Sequence, residues 1–184
     1  MGQRKTKNFY QVKKMIYINI GSNLNSSSGG RLYNLKKSIK LIKNKKINIL
    51  KISNIYETPS YPNQKNPKFL NICLALRSNK KPELLIKIFQ TIEKKLQRNR
   101  GLKNQPRTCD IDIIDYYGKI VNLKELILPH PRAHLRNFVL FPLKEISSDW
   151  IHPTLNKKIE ILIKKLNFKL RNEITRLNES VIID

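Results

Sequence analysis

The order of two kinds of apolar pattern along the chain constrains its fold more than any other feature. Runs rich in β-branched residues alternate with stretches in which apolar residues recur every three or four positions, the periods typical of strands and helices. This order, β-α-β-β-α-β, predicts an α+β fold of the ferredoxin-like type, with two helices on one face of an antiparallel sheet. The predicted elements are the strand Met15–Ile20, a helix from Leu32 to about Lys45, the strands Ile47–Tyr56 and Phe69–Leu76, a helix from Pro82 to Leu96, and the strand Pro106–Ile114.

Shorter patterns follow the sixth element and predict small C-terminal additions to this fold. The additions are brief strands at 120–121 and 126–128, a helix over Asn137–Leu143 and a peripheral helix over Ile159–Leu166.

In the second long helix, Pro82 to Leu96, the apolar side predicted to face the core includes Leu84 and Leu85.

The length of 184 residues suits one domain with a sizeable core. Residues 1–14 are rich in Lys and Arg and contain no acid, so we expect a disordered basic extension there. We assign residues 15–166 to a single domain and residues 167–184 to a C-terminal tail. No run approaches the roughly eighteen apolar residues of a membrane span, so we expect a cytoplasmic protein without membrane association. The two cysteines, Cys73 and Cys109, are predicted to be buried free thiols.

The formal net charge of +24 is typical of a basic RNA- or DNA-binding module. The lysines, however, are spread along the chain among abundant Asn and Ile, a pattern that AT-rich coding produces without selection for binding. The arginines are distributed differently, because five of the ten lie between Arg98 and Arg136. We therefore expect the functional charge to lie among these arginines, and no specific nucleic-acid partner.

The predicted strand Pro106–Ile114 carries two carboxylates on one face. Asp110 and Asp112 alternate with isoleucines, so both acidic side chains point away from the apolar side of the strand. Like charges this close repel each other, and a divalent cation between them relieves the repulsion. The pattern therefore indicates a magnesium site, with Arg107 available to hold phosphate oxygens beside the metal. The alternative is an exposed strand on which the two aspartates are only a solvated polar face.

A second polar cluster follows this strand and puts two histidines and two arginines into nine residues. His130 and His134 have the spacing of a helical zinc site, but Pro131 interrupts any helix between them. We therefore expect His130 and Arg136 to hydrogen-bond phosphate oxygens. In this interpretation Arg132 and His134 are solvated neighbours. The alternative is a polar loop with a structurally satisfied histidine.

The stretch Pro106–Ile114 resembles the signature G-P-R-x-x-D-[LI]-D-[IL] of the 6-hydroxymethyl-7,8-dihydropterin pyrophosphokinase family. Seven further blocks agree with this family in order and spacing, so that the resemblance covers about Met15 to Ile146. These blocks are Gly21-Ser22-Asn23, Tyr56-x-Thr58-Pro59, Phe69-Leu70-Asn71, the helix with Gln90 and Glu93, Arg98-x-Arg100, Pro129-His130-Pro131-Arg132, and Arg136-x-Phe138-Val139-Leu140-x-Pro142-Leu143.

The resemblance implies an enzyme of folate biosynthesis. Such an enzyme transfers pyrophosphate from ATP to the hydroxymethyl group of 6-hydroxymethyl-7,8-dihydropterin, giving AMP and the pterin diphosphate. The family pattern implies that Asp110 and Asp112 bind two Mg²⁺ ions and that Arg98 and Arg107 cover charge on the transferred group. These four residues are the implied catalytic residues. The implied ATP contacts are Gln90, Glu93, Arg98, Arg107, Ile113, His130 and Arg136.

The resemblance also implies a pterin pocket and a monomeric protein. Phe69 and Phe138 match the two aromatic walls between which the flat pterin ring stacks. The alternative for both is an ordinary core position, in which each ring is buried on all sides. The residues implied to contact the edge of the ring are Thr58, Pro59, Tyr61 and Asn71.

Three polar loops, 21–30, 58–68 and 98–106, separate the predicted elements around this site. Their length and polarity indicate that they surround the cleft. We expect them to close over ATP and pterin and so to exclude water that would hydrolyse ATP.

Overall fold

The computed structural model describes residues 14–99, 101, 105–179 and 181 of the chain. The predicted basic extension over residues 1–14 lies outside the described part, except for Lys14. Arg100, which belongs to one of the family blocks, also lies outside it. None of the helices in the described part is long and apolar enough to cross a membrane.

The described residues form a mixed α and β domain around one main sheet. The first seven elements are β1 (Ile16–Ser22), α1 (Arg31–Lys43), β2 (Asn48–Ile52), β3 (Tyr56–Thr58), β4 (Phe69–Arg77), α2 (Pro82–Lys95) and β5 (Asp110–Tyr116). After β5 come β6 (Val121–Leu123), β7 (Leu126–Leu128), a 3-10 turn (Ala133–Leu135), α3 (Asn137–Ile146), α4 (Ile159–Lys165), α5 (Phe168–Asn172) and β8 (Thr175–Arg176).

Strand β1 lies between β5 and β4 in the main sheet. The other edge of β4 pairs with β2 and with β3, and β3 pairs in turn with β8. Every one of these pairs is antiparallel. The predicted ferredoxin-like α+β arrangement is confirmed.

The predicted strand Ile47–Tyr56 is two shorter strands, β2 and β3. The ladder to β4 breaks at Cys73, whose backbone N–H donates to the side-chain oxygen of Ser53 at 2.9 Å. The N–H of Ser53 donates in return to the carbonyl oxygen of Cys73 at 2.9 Å. Because a side chain replaces a backbone acceptor here, the chain leaves the strand path. The prediction of one continuous strand was wrong at this point.

Helices α1 and α2 cover one face of the sheet. The alternating residues Ile16, Ile18 and Ile20 of β1 are fully buried beneath them. On α2, Leu85 is fully buried, whereas Leu84 lies about 100° further round the helix and is 48% exposed. The prediction that Leu84 faces the core was therefore wrong.

The opposite face of the sheet is covered by α3 and α4, which the sequence predicted as small C-terminal additions. Tyr17 and Ile114 point to this face and share a buried cluster with Val139 and Leu143 of α3 and Ile159 of α4. Both faces of the sheet are thus covered, and the additions bury a second, smaller part of the core.

Part of the segment predicted as a C-terminal tail, residues 167–184, has regular structure. At α5, the carbonyl oxygen of Leu170 accepts a hydrogen bond from Asn137 Nδ2 at 2.7 Å. Beyond α5, β8 pairs with β3, and the N–H of Leu177 donates to the carbonyl oxygen of Ile55 at 2.8 Å. The segment therefore contacts both β3 and the start of α3.

His152 is buried beside the second face of the sheet. Its Nδ1 accepts from the N–H groups of Thr154 and Leu155 at 3.4 and 3.3 Å. Its ring meets those of His134 and Trp150 edge to face, each at 5.5 Å between centroids. His134, predicted as a solvated neighbour, is therefore packed against this ring. Burial, and next the proximity of His134, lowers the pKa of His152 to about 4.

We expect the free energy of unfolding to fall as the pH is lowered from 6.5 to about 4. Because the folded-state pKa of His152 is below its ordinary value, the unfolded chain takes up the proton first. The contribution of His152 is therefore present above pH 6.5 and is lost as the pH falls through about 4. Urea denaturation across this range should show a decline about 2 kcal/mol smaller in a His152→Gln variant. An equal decline in both proteins would contradict the assignment.

Candidate active site

Strand β5 presents Asp110 and Asp112 on the face of the sheet that α3 covers. The intervening residues Ile111 and Ile113 are buried in the core beneath α1 and α2, as the alternation predicted. The two acidic side chains remain 23% and 33% exposed, respectively. Both carboxylates are therefore accessible to a ligand.

Asp110 lies between two arginines from different loops. Its Oδ1 is 2.6 Å from Arg98 Nη1, and its Oδ2 is 3.0 Å from Arg107 Nη1. Arg98 follows α2, whereas Arg107 lies in the segment that leads into β5. The structure thus brings together two positive charges that are nine residues apart in the sequence, and the aspartate between them holds both.

Asp112 lies beside Arg136 and His130. Its Oδ2 is 3.3 Å from Arg136 Nη1 and 3.9 Å from His130 Nε2. Burial, and next the negative charge of Asp110, raises the pKa of Asp112 to about 6, while Arg136 acts in the opposite direction.

His130 is neutral at pH 7 in this arrangement. Burial, and next the charges of Arg136 and Arg132, lowers the pKa of His130 to about 4. Its Nδ1 accepts the N–H of Arg132 at 3.1 Å, which leaves the ring proton on Nε2. The contact with Asp112 is therefore not an ion pair. The Nε2–H group is a donor for an anionic oxygen.

The chemistry of Asp110 and Asp112 fits magnesium. Burial, and next the charge of Asp110, raises the pKa of Asp112. A cation bound by both carboxylates would relieve the repulsion between them. Among the residues that the structure describes, no group of three or more His, Cys, Asp or Glu side chains is placed to hold a metal. Magnesium is typically bound by one or two carboxylates together with water and substrate phosphates, so two aspartates are enough.

Two aromatic rings lie next to these ion pairs. Phe69 begins β4 and Phe138 lies in the first turn of α3, and both are half-buried. The guanidinium of Arg107 is 5.6 Å from the centroid of the Phe69 ring, and that of Arg136 is 5.3 Å from the Phe138 ring. Each arginine therefore pairs with one aspartate and covers one aromatic face.

Asn23, directly after β1, connects three segments around the site. Its Oδ1 accepts the N–H of Arg107 at 2.7 Å, and its own N–H donates to the carbonyl oxygen of Arg107 at 3.0 Å. Its Nδ2 donates to the carbonyl oxygen of Pro67 at 3.0 Å. Because the Asn23 side chain is buried and satisfied, the loops that carry Arg107 and Pro67 share one anchor.

The family model described as 7,8-dihydro-6-hydroxymethylpterin-pyrophosphokinase (HPPK) matches residues 17–148, which include the whole of this site. The chain belongs to this family. It is 34% identical over 136 residues to an enzyme of Bacillus subtilis named 2-amino-4-hydroxy-6-hydroxymethyldihydropteridine pyrophosphokinase, a match that covers 73% of this chain and 79% of the relative. The enzyme of the same name from Aquifex aeolicus is 34% identical over 146 residues, covering 79% of this chain and 88% of the relative.

Two further matches are to proteins much longer than this chain. The folic acid synthesis protein fol1 of Pneumocystis carinii is 37% identical over 82% of the chain, but the match spans only 20% of that protein. The crystal structure of Plasmodium falciparum HPPK-DHPS has a TM-score of 0.65, with 14% identity, over 89% of this chain and 48% of that one. At this identity the likeness concerns the fold alone.

Glu93, which the HPPK pattern assigns to the ATP side, lies beneath the site. It is 3% exposed, and its Oε1 accepts the N–H of Ile111 at 2.8 Å. The same carboxylate pairs with Arg98, whose N–H also donates to the carbonyl oxygen of Glu93 at 3.0 Å. Glu93 therefore joins α2 to β5 and orients Arg98.

The HPPK pattern also assigns Gln90 and Ile113 to the ATP side. Gln90 is half-buried one turn earlier on α2, and Ile113 has its side chain in the core.

The HPPK residues assigned to the pterin edge are only partly brought together. Asn71 Nδ2 donates to Thr58 Oγ1 at 3.1 Å, and both side chains are buried next to the start of β4. Pro59 follows β3 and is half-buried. Tyr61 is 82% exposed, so its side chain is directed into solvent. A Cβ atom at Gly21 would lie 3.1 Å from Asn71 Oδ1, so glycine at that position leaves the Asn71 amide its space.

The role of Asn23 was not predicted from the sequence. In the sequence, Gly21-Ser22-Asn23 is recognisable only as a family block after the first strand. An asparagine at such a turn has one acceptor and two donors, a set suited to bridging backbone groups of several loops. That chemistry is the only local signal in the sequence, because the partners are 44 and 84 residues away.

Proposed function

We propose that this chain transfers the β,γ-pyrophosphoryl group of ATP to the hydroxymethyl oxygen of 6-hydroxymethyl-7,8-dihydropterin, as a step of folate biosynthesis. The bond between the α,β-bridging oxygen and the β-phosphorus breaks, and the pterin oxygen loses its proton as it bonds to that phosphorus. AMP and the pterin diphosphate are the products. The observation that carries the proposal is the array on β5, in which two aspartates hold three arginines beside two aromatic rings. The names of the bacterial relatives support it.

In this proposal Asp110 and Asp112 would hold two Mg²⁺ ions, whose positive charge would offset the negative charge of the triphosphate. Arg98 and Arg107, which now neutralise Asp110, would be available to the transferred group when a cation takes over that neutralisation. Arg136 and the Nε2–H of His130 then donate to phosphate oxygens. Gln90 lies on the ATP side, and Glu93 contributes by orienting Arg98. Ile113, whose side chain is in the core, would contribute only backbone groups at the edge of the sheet.

The pterin ring is proposed to stack between Phe69 and Phe138. Asn71 would offer its second amide N–H and its Oδ1 to the polar edge of the ring, next to Thr58 and Pro59. Tyr61 joins this set only if the 58–68 loop moves toward the pocket, because its side chain is now directed into solvent. The aromatic faces are covered by Arg107 and Arg136 in the ligand-free protein.

We expect pterin to bind at least about tenfold more tightly when magnesium and a non-hydrolysable ATP analogue are present. The phosphates draw Arg107 and Arg136 away from the two rings, and pterin no longer competes with cation–π contacts for the ring faces. Calorimetric titration with pterin alone and with the analogue and magnesium measures the ratio. The analogue with EDTA is the control. Equal affinities under all three conditions would show that the arginines do not block the rings.

We further propose that the protein acts as a cytoplasmic monomer without a specific nucleic-acid partner. Cys73 and Cys109 are buried free thiols, which is compatible with a reducing compartment. Two aspartates at the centre of the arginine cluster also disfavour a nucleic-acid backbone at this site.

AMP formation from ATP, measured with and without 6-hydroxymethyl-7,8-dihydropterin, tests the proposed function. We expect AMP only when pterin is present, and none after EDTA has removed magnesium. A folded protein that binds ATP but forms no AMP with pterin would overturn the proposal.

A further inference from the structure

Asn19 is a buried amide in the middle of β1. It is 4% exposed, and in the sheet it lies opposite Cys73 of β4 and Asp112 of β5. An apolar residue would be buried at this position without the cost of desolvating an amide. Hydrogen bonds made by the amide must therefore offset the cost of burying it.

The side-chain amide of Asn19 faces two backbone carbonyl oxygens, so the orientation that satisfies hydrogen bonding turns its nitrogen toward both. In this orientation the nitrogen donates to the carbonyl oxygen of Ile72 at 3.2 Å and to that of Phe138 at 3.0 Å. The opposite orientation would place the amide oxygen against both carbonyls, so hydrogen bonding decides the assignment. Asn19 thus connects the centre of the sheet to the first turn of α3.

The same turn is held from its other side by Asn137. The N–H of Phe138, which has no acceptor within the helix because it lies in the first turn, donates to Asn137 Oδ1 at 2.7 Å. Asn137 is 3% exposed, and its Nδ2 donates to the carbonyl oxygen of Leu170 at 2.7 Å. The backbone of Phe138 is therefore fixed at its carbonyl by β1 and at its N–H by a side chain anchored on α5.

We propose that Asn19 and Asn137 are positioning residues for the pterin site, which fix the backbone of Phe138 and so place its ring for stacking. This inference rests on the proposed function, because it takes Phe138 as a wall of the pterin pocket. Two buried amides act on one residue from opposite directions, whereas the ring itself is only half-buried and covered by Arg136. The rigidity of this wall therefore comes from its backbone.

A double-mutant cycle between Asn19→Leu and Phe138→Ala tests the inference. We measure kcat and the KM for pterin and for ATP in the wild type, both single variants and the double variant. We expect Asn19→Leu to raise the pterin KM about tenfold, because it removes two buried hydrogen bonds, one of which holds the backbone of Phe138. The ATP KM should change less than about twofold. In the Phe138→Ala background the same substitution should change the pterin KM less than about twofold, because the ring that it places is gone.

Tyr17→Phe is the matched control. Tyr17 lies on the same strand and face, and its hydroxyl shares a buried hydrogen bond of 2.7 Å with Ser147. Losing this bond should lower the melting temperature and leave both KM values unchanged. If Asn19→Leu does not fold, Asn137→Ala takes its place in the cycle, because it removes the other half of the contact with Phe138.

The outcomes separate the inference from the proposed function. An equal rise in the pterin KM in both backgrounds, or no rise, would overturn the positioning role. A wild type that turns over pterin and loses pterin affinity on Phe138→Ala, but not on Asn19→Leu, would overturn the inference alone. A wild type without pterin-dependent AMP formation would overturn the proposed function and the inference together.

Discussion

The Asp112→Asn variant should lose at least about 10³-fold in kcat and yet fold more stably than the wild type at pH 7. The activity is lost because a neutral amide is a poor ligand for magnesium. The fold gains because burial and the charge of Asp110 raise the pKa of Asp112, so that its ionised form destabilises the ligand-free protein. We expect a gain of about 1 kcal/mol, since solvent around the partly exposed side chain screens the repulsion.

The gain in stability should depend on pH in a defined direction. A pKa raised from 3.8 to about 6 means that the folded state binds the proton more tightly than the unfolded chain. The stabilising contribution of protonated Asp112 is present below pH 3.8 and is lost as the pH rises through about 6. Urea denaturation without magnesium should therefore show no difference between Asp112→Asn and wild type near pH 4 and an increasing difference toward pH 7. Asp149→Asn, an exposed substitution of the same kind, is the control. Turnover near that of the wild type in Asp112→Asn would refute the metal assignment.

The Glu93→Ala variant should lose about 3 kcal/mol of unfolding free energy as well as most of its activity. The substitution leaves the buried N–H of Ile111 without its acceptor and removes a carboxylate partner of Arg98. Arg98 is then held only from the side of Asp110, and its position over the transferred group is lost. Urea denaturation and the AMP assay measure the two effects.

Glu83→Ala on the same helix is the matched control for this expectation. Glu83 is exposed in the first turn of α2, where its charge interacts favourably with the helix dipole. Its removal should cost less than about 1 kcal/mol and leave turnover unchanged. If Glu93→Ala and Glu83→Ala behaved alike, the buried connection between α2 and β5 would be unimportant.

The parts of the fold that could be predicted are those whose signals are local. The alternation of aspartate and isoleucine on β5 is readable because side chains of a strand alternate strictly between faces. The break between β2 and β3 was missed because it depends on Ser53 bonding to Cys73, twenty residues away. Strand β8 was missed because its two residues are exposed and polar, and only the edge of β3 makes them a strand.

In the candidate site, too, the features with local signals could be predicted and those that depend on distant contacts could not. Arg107, Asp110 and Asp112 could be predicted because one short motif on and before β5 carries them. Arg98, His130 and Arg136 join them from other segments, which only the family resemblance connected with this site. The buried orientation of Glu93 and the stacking of Arg107 on Phe69 could not be predicted, since each depends on which elements meet in space. The same holds for Asn19, whose contact with Phe138 crosses from β1 to α3.

The identity of the phosphorus products tests the central claim most directly. A ³¹P spectrum of the reaction of ATP, magnesium and 6-hydroxymethyl-7,8-dihydropterin should show AMP together with an equal amount of a diphosphate ester of the pterin. Both phosphorus atoms of this ester come from ATP, from its β- and γ-phosphates, and free pyrophosphate should be absent. ADP with a pterin monophosphate, or AMP with free pyrophosphate and unchanged pterin, would contradict pyrophosphoryl transfer at this site.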